Sequence, residues 1–251
     1  MINDDGIHNV SLLGNLEIFA MKTAGIIGGI GPESTIEYYR QIVAAYRERT
    51  RDGSYPPVII NCIDMKKMLD LIGSNKLPAV TAYLLEELRR LGRAGADFGL
   101  LAANTPHVVY DALERQSPIP LISIVETTCQ AAQTQRLKRI GLFGTSFTME
   151  GRFYPDVFAP VGITLVLPAP NEQTYIHDKY MSELVRGILL PETRENLLGI
   201  VERMHAEEGI EAVILGGTEL PLILRDTNHK GVLFLDTTKL HVERVVQLLL
   251  S

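Results

Sequence analysis

The chain has 251 residues, with 24 Lys and Arg against 30 Asp and Glu, for a formal net charge of -6 when histidine is neutral. A mildly acidic surface does not attract polyanions, which argues against nucleic acid or an anionic membrane as the main partner. At 46% hydrophobic and 22% charged residues it can bury a substantial core, and no apolar run approaches the roughly 18 residues of a membrane span.

The first twenty residues show no clear period and read as an extra leader ahead of Met21. They carry no basic segment followed by an apolar signal core, so a cytoplasmic location is expected. From Met21 onward, short β-branched or leucine-rich runs near 24-28, 58-63, 98-103, 120-124, 139-144, 163-167, 212-216 and 232-236 read as strands. Longer amphipathic stretches such as 34-49 and 80-94 read as the helices between them. The strands are apolar on both faces and alternate with helices, as in parallel α/β units. Two cysteines, Cys62 and Cys129, are too few for a disulfide framework or a four-ligand zinc site.

The chain also repeats itself. Gly25-Ile-Ile-Gly28-Gly29 is echoed by Gly141-Leu-Phe-Gly144-Thr145, 116 positions later, and Ala103-Asn104-Thr105 by Gly217-Thr218-Glu219, 114 positions later. Two such similar offsets predict a duplicated α/β lobe. The proline-punctuated link Ser117-Pro-Ile-Pro120 marks the expected break. The division expected is therefore 21-118 plus 226-251 for the first lobe and 119-225 for the second, with the final strand and helix returning to complete the first.

Gly28-Gly-Ile-Gly31-Pro-Glu-Ser-Thr35 follows a strand and opens a helix, an arrangement in which backbone N–H groups can approach an anion. Read as Gly29-x-Gly31-x-x-Ser34, with Asp64 ending the next strand, it is a near match to a dinucleotide fingerprint. An NAD-dependent oxidoreductase is thus one alternative, although serine replaces the third glycine. A turn that needs glycine only for its backbone geometry is another.

The strand-end motifs Ala103-Asn104-Thr105-Pro106-His107 and Gly217-Thr218-Glu219-Leu220 put polar groups where open α/β sheets bind ligands. Together with Gly-Gly-Ile-Gly-Pro-Glu-Ser-Thr and Phe143-Gly-Thr145, and in the same order, they make the sequence resemble the aspartate/glutamate racemase family, within the Asp/Glu/hydantoin racemase superfamily. The resemblance implies an α/β fold of two similar parallel-sheet lobes related by pseudo-two-fold symmetry, no cofactor, and a small acidic amino acid or related dicarboxylate held between the lobes. A homodimer is a candidate assembly.

The same resemblance implies acid/base groups, usually two cysteines, at the positions held here by Ala103 and Gly217. A thiolate removes the Cα proton from one face and a thiol delivers one to the other. Neither alanine nor glycine can do so, which leaves open a non-racemising binding protein or an enzyme of altered reaction type using the same cleft. One reason for a glycine at 217 is a need for positive φ. Glu219 is the candidate catalytic group that remains. Gly29, Ile30, Gly31, Thr35, Asn104, Thr105, Thr145 and Thr218 are the expected substrate-binding residues. His107 is open to a ligand or a capping role, Cys62 to the cleft edge, and Lys66, Lys67 and Lys179 to a side-chain carboxylate or to solvent.

Overall fold

The computed structural model describes residues 21–251, so the leader assigned to residues 1–20 lies outside the described residues. Two sheets form, and their strand orders match. In the first, β1 (Ala24–Gly28), β2 (Val58–Cys62), β3 (Phe98–Leu101) and β4 (Leu121–Ile122) lie parallel in the order β2-β1-β3-β4. In the second, β5 (Arg139–Gly144), β6 (Thr164–Val166), β7 (Ala212–Gly216) and β9 (Val232–Asp236) repeat that parallel order as β6-β5-β7-β9. The short strand β8 (Asn228–His229) is added antiparallel at the edge.

The helices are α1 (Pro32–Thr50), α2 (Met65–Gly73), α3 (Leu77–Arg93) and α4 (Tyr110–Glu114) around the first sheet. They are followed by α5 (Ile124–Thr134), α6 (Ser146–Met149), α7 (Pro155–Phe158), α8 (Pro170–Ser182), α9 (Pro191–Glu208), α10 (Leu220–Ile223) and α11 (Thr237–Leu249). Strand residues alternate between two cores, as the period-2 pleat requires. Ile27 and Leu101 pack with Leu84 and Leu88 of α3, whereas Ile26 and Leu100 pack with Tyr38 and Ile42 of α1 and Val245 and Val246 of α11. In the second sheet, Val213 and Leu215 meet Leu197 and Val201 of α9, while Leu142 and Ile214 meet Val125 and Cys129 of α5. None of the described helices is long and apolar enough to cross a membrane.

Two strand assignments differ from the sequence expectation. The strand after the proline link does not open the second lobe: Leu121 and Ile122 pair with Gly99 and Leu100 of β3. The link folds back because Gly92 and Gly99 leave room for Ile119, and the Gly99 N–H donates to Pro120 O at 2.8 Å. The final strand does not return to the first lobe either, since β9 pairs with β7. The connection between those two strands holds a four-residue helix and the β8–β9 hairpin, in which His229 pairs with Val232. The helices make the exchange instead. Ser123 caps α5 by accepting the Glu126 N–H, and Asp236 caps α11 by accepting the Lys239 N–H. From these turns α5 crosses to cover the second sheet and α11 crosses to cover the first.

Candidate active site

Four strands, two from each sheet, end at one cavity of about 90 Å³. Ile30 and Gly31 enter after β1, Ala103 to Thr105 after β3, Thr145 after β5, and Gly216 to Glu219 after β7. This is the carboxyl-end position at which open α/β sheets place ligands. A larger depression of about 830 Å³, bordered by Tyr110, Arg115, Glu126 and Arg152, touches His107 of the β3 motif but none of Ala103 to Thr105, Thr145 or Gly216 to Glu219. The smaller cavity is the candidate site because the polar motifs converge there.

The glycine loop is held largely by its own helix. Thr35 Oγ1 accepts the Gly29 N–H at 2.8 Å and donates to Gly31 O at 3.2 Å. Gly29 has φ 77°, and a Cβ there would sit 2.6 Å from Ile63 O. Gly29 and Thr35 therefore shape the turn and do not line the cavity, whereas Ile30 and Gly31 do. Gly31, at φ 84°, leaves space for an approach from the other lobe: a Cβ on it would lie 2.7 Å from Glu219 Oε1.

At the end of β3, Asn104 joins the lobes. Its Oδ1 accepts the Tyr154 hydroxyl at 2.7 Å, and its Nδ2 donates to Thr237 Oγ1 at 3.3 Å. His107 is buried and fully engaged. Its Nδ1–H donates to Ala103 O and Asn104 O, its Nε2 accepts the Ile124 N–H, and burial lowers its pKa to about 4. It braces the motif as a neutral side chain and does not line the cavity.

Tyr180 and His177, both on α8, were not singled out in the sequence, yet both line the cavity. The Tyr180 hydroxyl donates to Glu219 Oε2, the same atom that the Thr218 hydroxyl reaches at 2.8 Å. Burial pushes the Glu219 carboxyl above its ordinary pKa against the lowering effect of these two hydroxyls, and burial beside Glu219 pushes the Tyr180 phenol well above its own. His177 Nδ1 accepts the Ser146 N–H at 3.2 Å, which assigns the proton of the neutral ring to Nε2. The α8 signal was present as His177, Tyr180 and Met181, spaced i, i+3 and i+4 on one helix face.

Gly217 has no positive φ, so backbone conformation is not what requires glycine there. The reason is steric. A Cβ at 217 would fall 2.8 Å from both Cζ and the hydroxyl oxygen of Tyr180, and closer still to Cε2 of the same ring. Ala103 and Gly217 do line the same cavity, one from each sheet. The remaining expected groups divide. Thr105, Thr145 and Thr218 line it, with Thr145 Oγ1 also 3.4 Å from Thr148 Oγ1.

The lysines go elsewhere: Lys66 pairs with Asp70, Lys67 sits 4.1 Å above the Tyr83 ring, and Lys179 pairs with Glu183. Neither cysteine borders the cavity, Cys62 being exposed and Cys129 buried against Val157 O. Asp64 is exposed and caps α2 by accepting the Lys67 N–H, so the acid expected at a ribose is a helix cap. The cavity is also far smaller than a dinucleotide needs.

The Asp/Glu/Hydantoin racemase family model matches residues 27–245. The chain belongs to this family. Among solved structures it is similar to a putative Asp/Glu racemase from Yersinia pestis, at 28% identity and TM-score 0.83, with 92% of this chain and all of the other covered. It is also similar to an aspartate racemase homologue from Pyrococcus horikoshii, at 31% identity and TM-score 0.80, with the same coverage. The broad specificity amino-acid racemase RacX of Bacillus subtilis is 23% identical over 214 residues, covering 80% of this chain and 86% of that protein. Membership of the racemase family accounts for the two matching sheets, and it supports a racemase-type function for the cavity between them.

Proposed function

We propose that the chain is an isomerase of racemase type that acts on a free α-amino acid without a cofactor, with Tyr180 and Glu219 carrying the proton at one face of Cα. The placement of Tyr180 carries this reading. Its ring and hydroxyl fill the space that a side chain at 217 would take, so the hydroxyl stands where the motif resemblance calls for an acid/base group. The hydroxyl already donates to Glu219, a carboxylate whose raised pKa suits it to take up a proton.

In the forward step the Cα–H bond breaks and its electron pair stays on carbon, delocalised into the substrate carboxylate. The proton passes to the Tyr180 oxygen as the hydroxyl proton moves to Glu219, and reversal returns it. Thr105 and Thr145 offer neutral hydroxyl donors to the carboxylate. Ala103 brings only a methyl group to its side, so return of the proton at the Tyr180 face gives exchange with retention, inversion takes its proton from solvent water on the Ala103 face, and exchange outruns inversion. A cleft that binds an amino acid without proton chemistry is the second reading, favoured by Ala103 and Gly217 together.

The test is exchange of the Cα proton in deuterium oxide, followed by proton NMR for a panel of L- and D-amino acids. Tyr180→Phe, which keeps the ring, and Glu219→Gln are each expected to slow exchange about 100-fold or more, with binding followed by calorimetry. Exchange unchanged in both variants refutes the assignment, and binding without any exchange selects the second reading.

A further inference from the structure

Among the described residues that line the cavity, Glu219 is the only carboxylate, His177 is the only imidazole, and no lysine or arginine is present. Lys66, Lys67 and Lys179, next in the chain to cavity residues or nearly so, are committed to Asp70, the Tyr83 ring and Glu183. Around the polar strand ends the wall is apolar: Ile30, Met65 and Leu69 come from the first lobe, and Phe147, Met181 and Val185 from the second. Phe147 and Met181 are 41% and 39% exposed, large apolar side chains left open to solvent beside the buried strand ends.

We infer that the side chain of the bound amino acid is uncharged and apolar, of leucine or methionine type, rather than the aspartate or glutamate expected from the motifs. The inference rests on the reading of this cleft as an amino-acid site. The α-carboxylate of any amino acid can be met by neutral hydroxyls, and its ammonium group by Glu219. A second carboxylate, on the side chain, would have to leave water for the apolar part of the wall, where no lysine or arginine stands to compensate it. It would also share a small space with Glu219, and Glu33 already adds negative charge nearby. An apolar side chain meets none of these penalties and covers Phe147 and Met181 from water.

Calorimetry with the purified protein tests this, using both enantiomers of leucine, methionine, aspartate and glutamate. Leucine or methionine is expected to bind about tenfold tighter, or more, than either acidic amino acid. Met181→Lys, at a partly exposed position that tolerates a charge, is expected to raise aspartate affinity about tenfold and to weaken leucine. Equal or tighter binding of aspartate or glutamate by the wild-type protein overturns the inference and leaves the amino-acid reading standing. Binding of none of the eight ligands overturns both. A Met181→Lys variant with no gain for aspartate also counts against the inference, since the missing cation would then not be what excludes the acid.

Discussion

Replacing Gly217 by cysteine is expected to destabilise the protein because the position is already occupied. A Cβ 2.8 Å from Tyr180 Cζ, and closer still to Cε2, is well inside the distance of about 3.5–4.0 Å at which carbon atoms rest, so the tyrosine ring must move. Overpacking of this kind costs about 1–3 kcal/mol. Displacing the ring also breaks its hydrogen bond to the buried Glu219 carboxylate, worth a further ~1.5–3 kcal/mol. Removing the ring should cancel most of that loss. Tyr180→Ala alone leaves a cavity and costs roughly 3–5 kcal/mol, but adding Gly217→Cys to it should cost less than about 1 kcal/mol, because the new side chain enters emptied space. The coupling between the two substitutions is then about 2 kcal/mol or more, read from urea unfolding midpoints at unchanged slope. Equal destabilisation by Gly217→Cys with and without the Tyr180→Ala substitution would falsify the steric account of this glycine.

Three further outcomes follow from the same contacts. Burial holds His107 at a pKa of about 4 and His241 at about 3, below the ordinary 6.5, so both are neutral when folded and protonate first in the unfolded chain. Their contribution is complete above pH 6.5 and is lost as pH falls toward 4, by about 3 kcal/mol for His107. Thermal melting between pH 7 and 4 should show this, with a shallower slope in His107→Asn, and equal slopes in the two proteins would contradict it. Tyr154→Phe leaves Asn104 Oδ1 without its partner across the lobes and should cost about 1–3 kcal/mol in urea unfolding, whereas a change under about 0.3 kcal/mol would mean that water replaces the bond. Ala103→Cys with Gly217→Cys should raise racemisation of a bound amino acid, followed by circular dichroism, only when Tyr180→Ala is added to make room. A gain without that third change would show that the ring is not the obstacle.

Much of the architecture was legible because buried parallel strands leave dense apolar runs between helical stretches. The runs at 24-28, 139-144, 212-216 and 232-236 coincide with β1, β5, β7 and β9, and the duplicated motifs correspond to the repeated strand order. Pairing partners were not legible. A strand buried on both faces reads the same in either sheet, so β4 and β9 were assigned to the wrong neighbours. At the site, Ala103, Asn104, Thr105, Thr145, Thr218 and Glu219 stood out as small or polar residues at strand ends. Tyr180 did not, because its meaning comes from a contact with Gly217, 37 positions away, that no local pattern records. Gly29 and Thr35 looked like ligand groups but satisfy each other, which only the folded loop reveals.

The most direct test of the proton-transfer assignment is where deuterium appears first. A single enantiomer of an amino acid that binds the cleft is incubated with the protein in deuterium oxide, and the recovered substrate and its antipode are separated and analysed by mass spectrometry at low conversion. One carrier at the Tyr180 face predicts deuterium in the recovered starting enantiomer before the antipode accumulates, with both signals lost in Tyr180→Phe. Deuterium confined to the antipode, with the recovered substrate still fully protiated, would mean that two carriers act on opposite faces and would contradict the assignment of Tyr180 and Glu219 as the single proton-transfer pair.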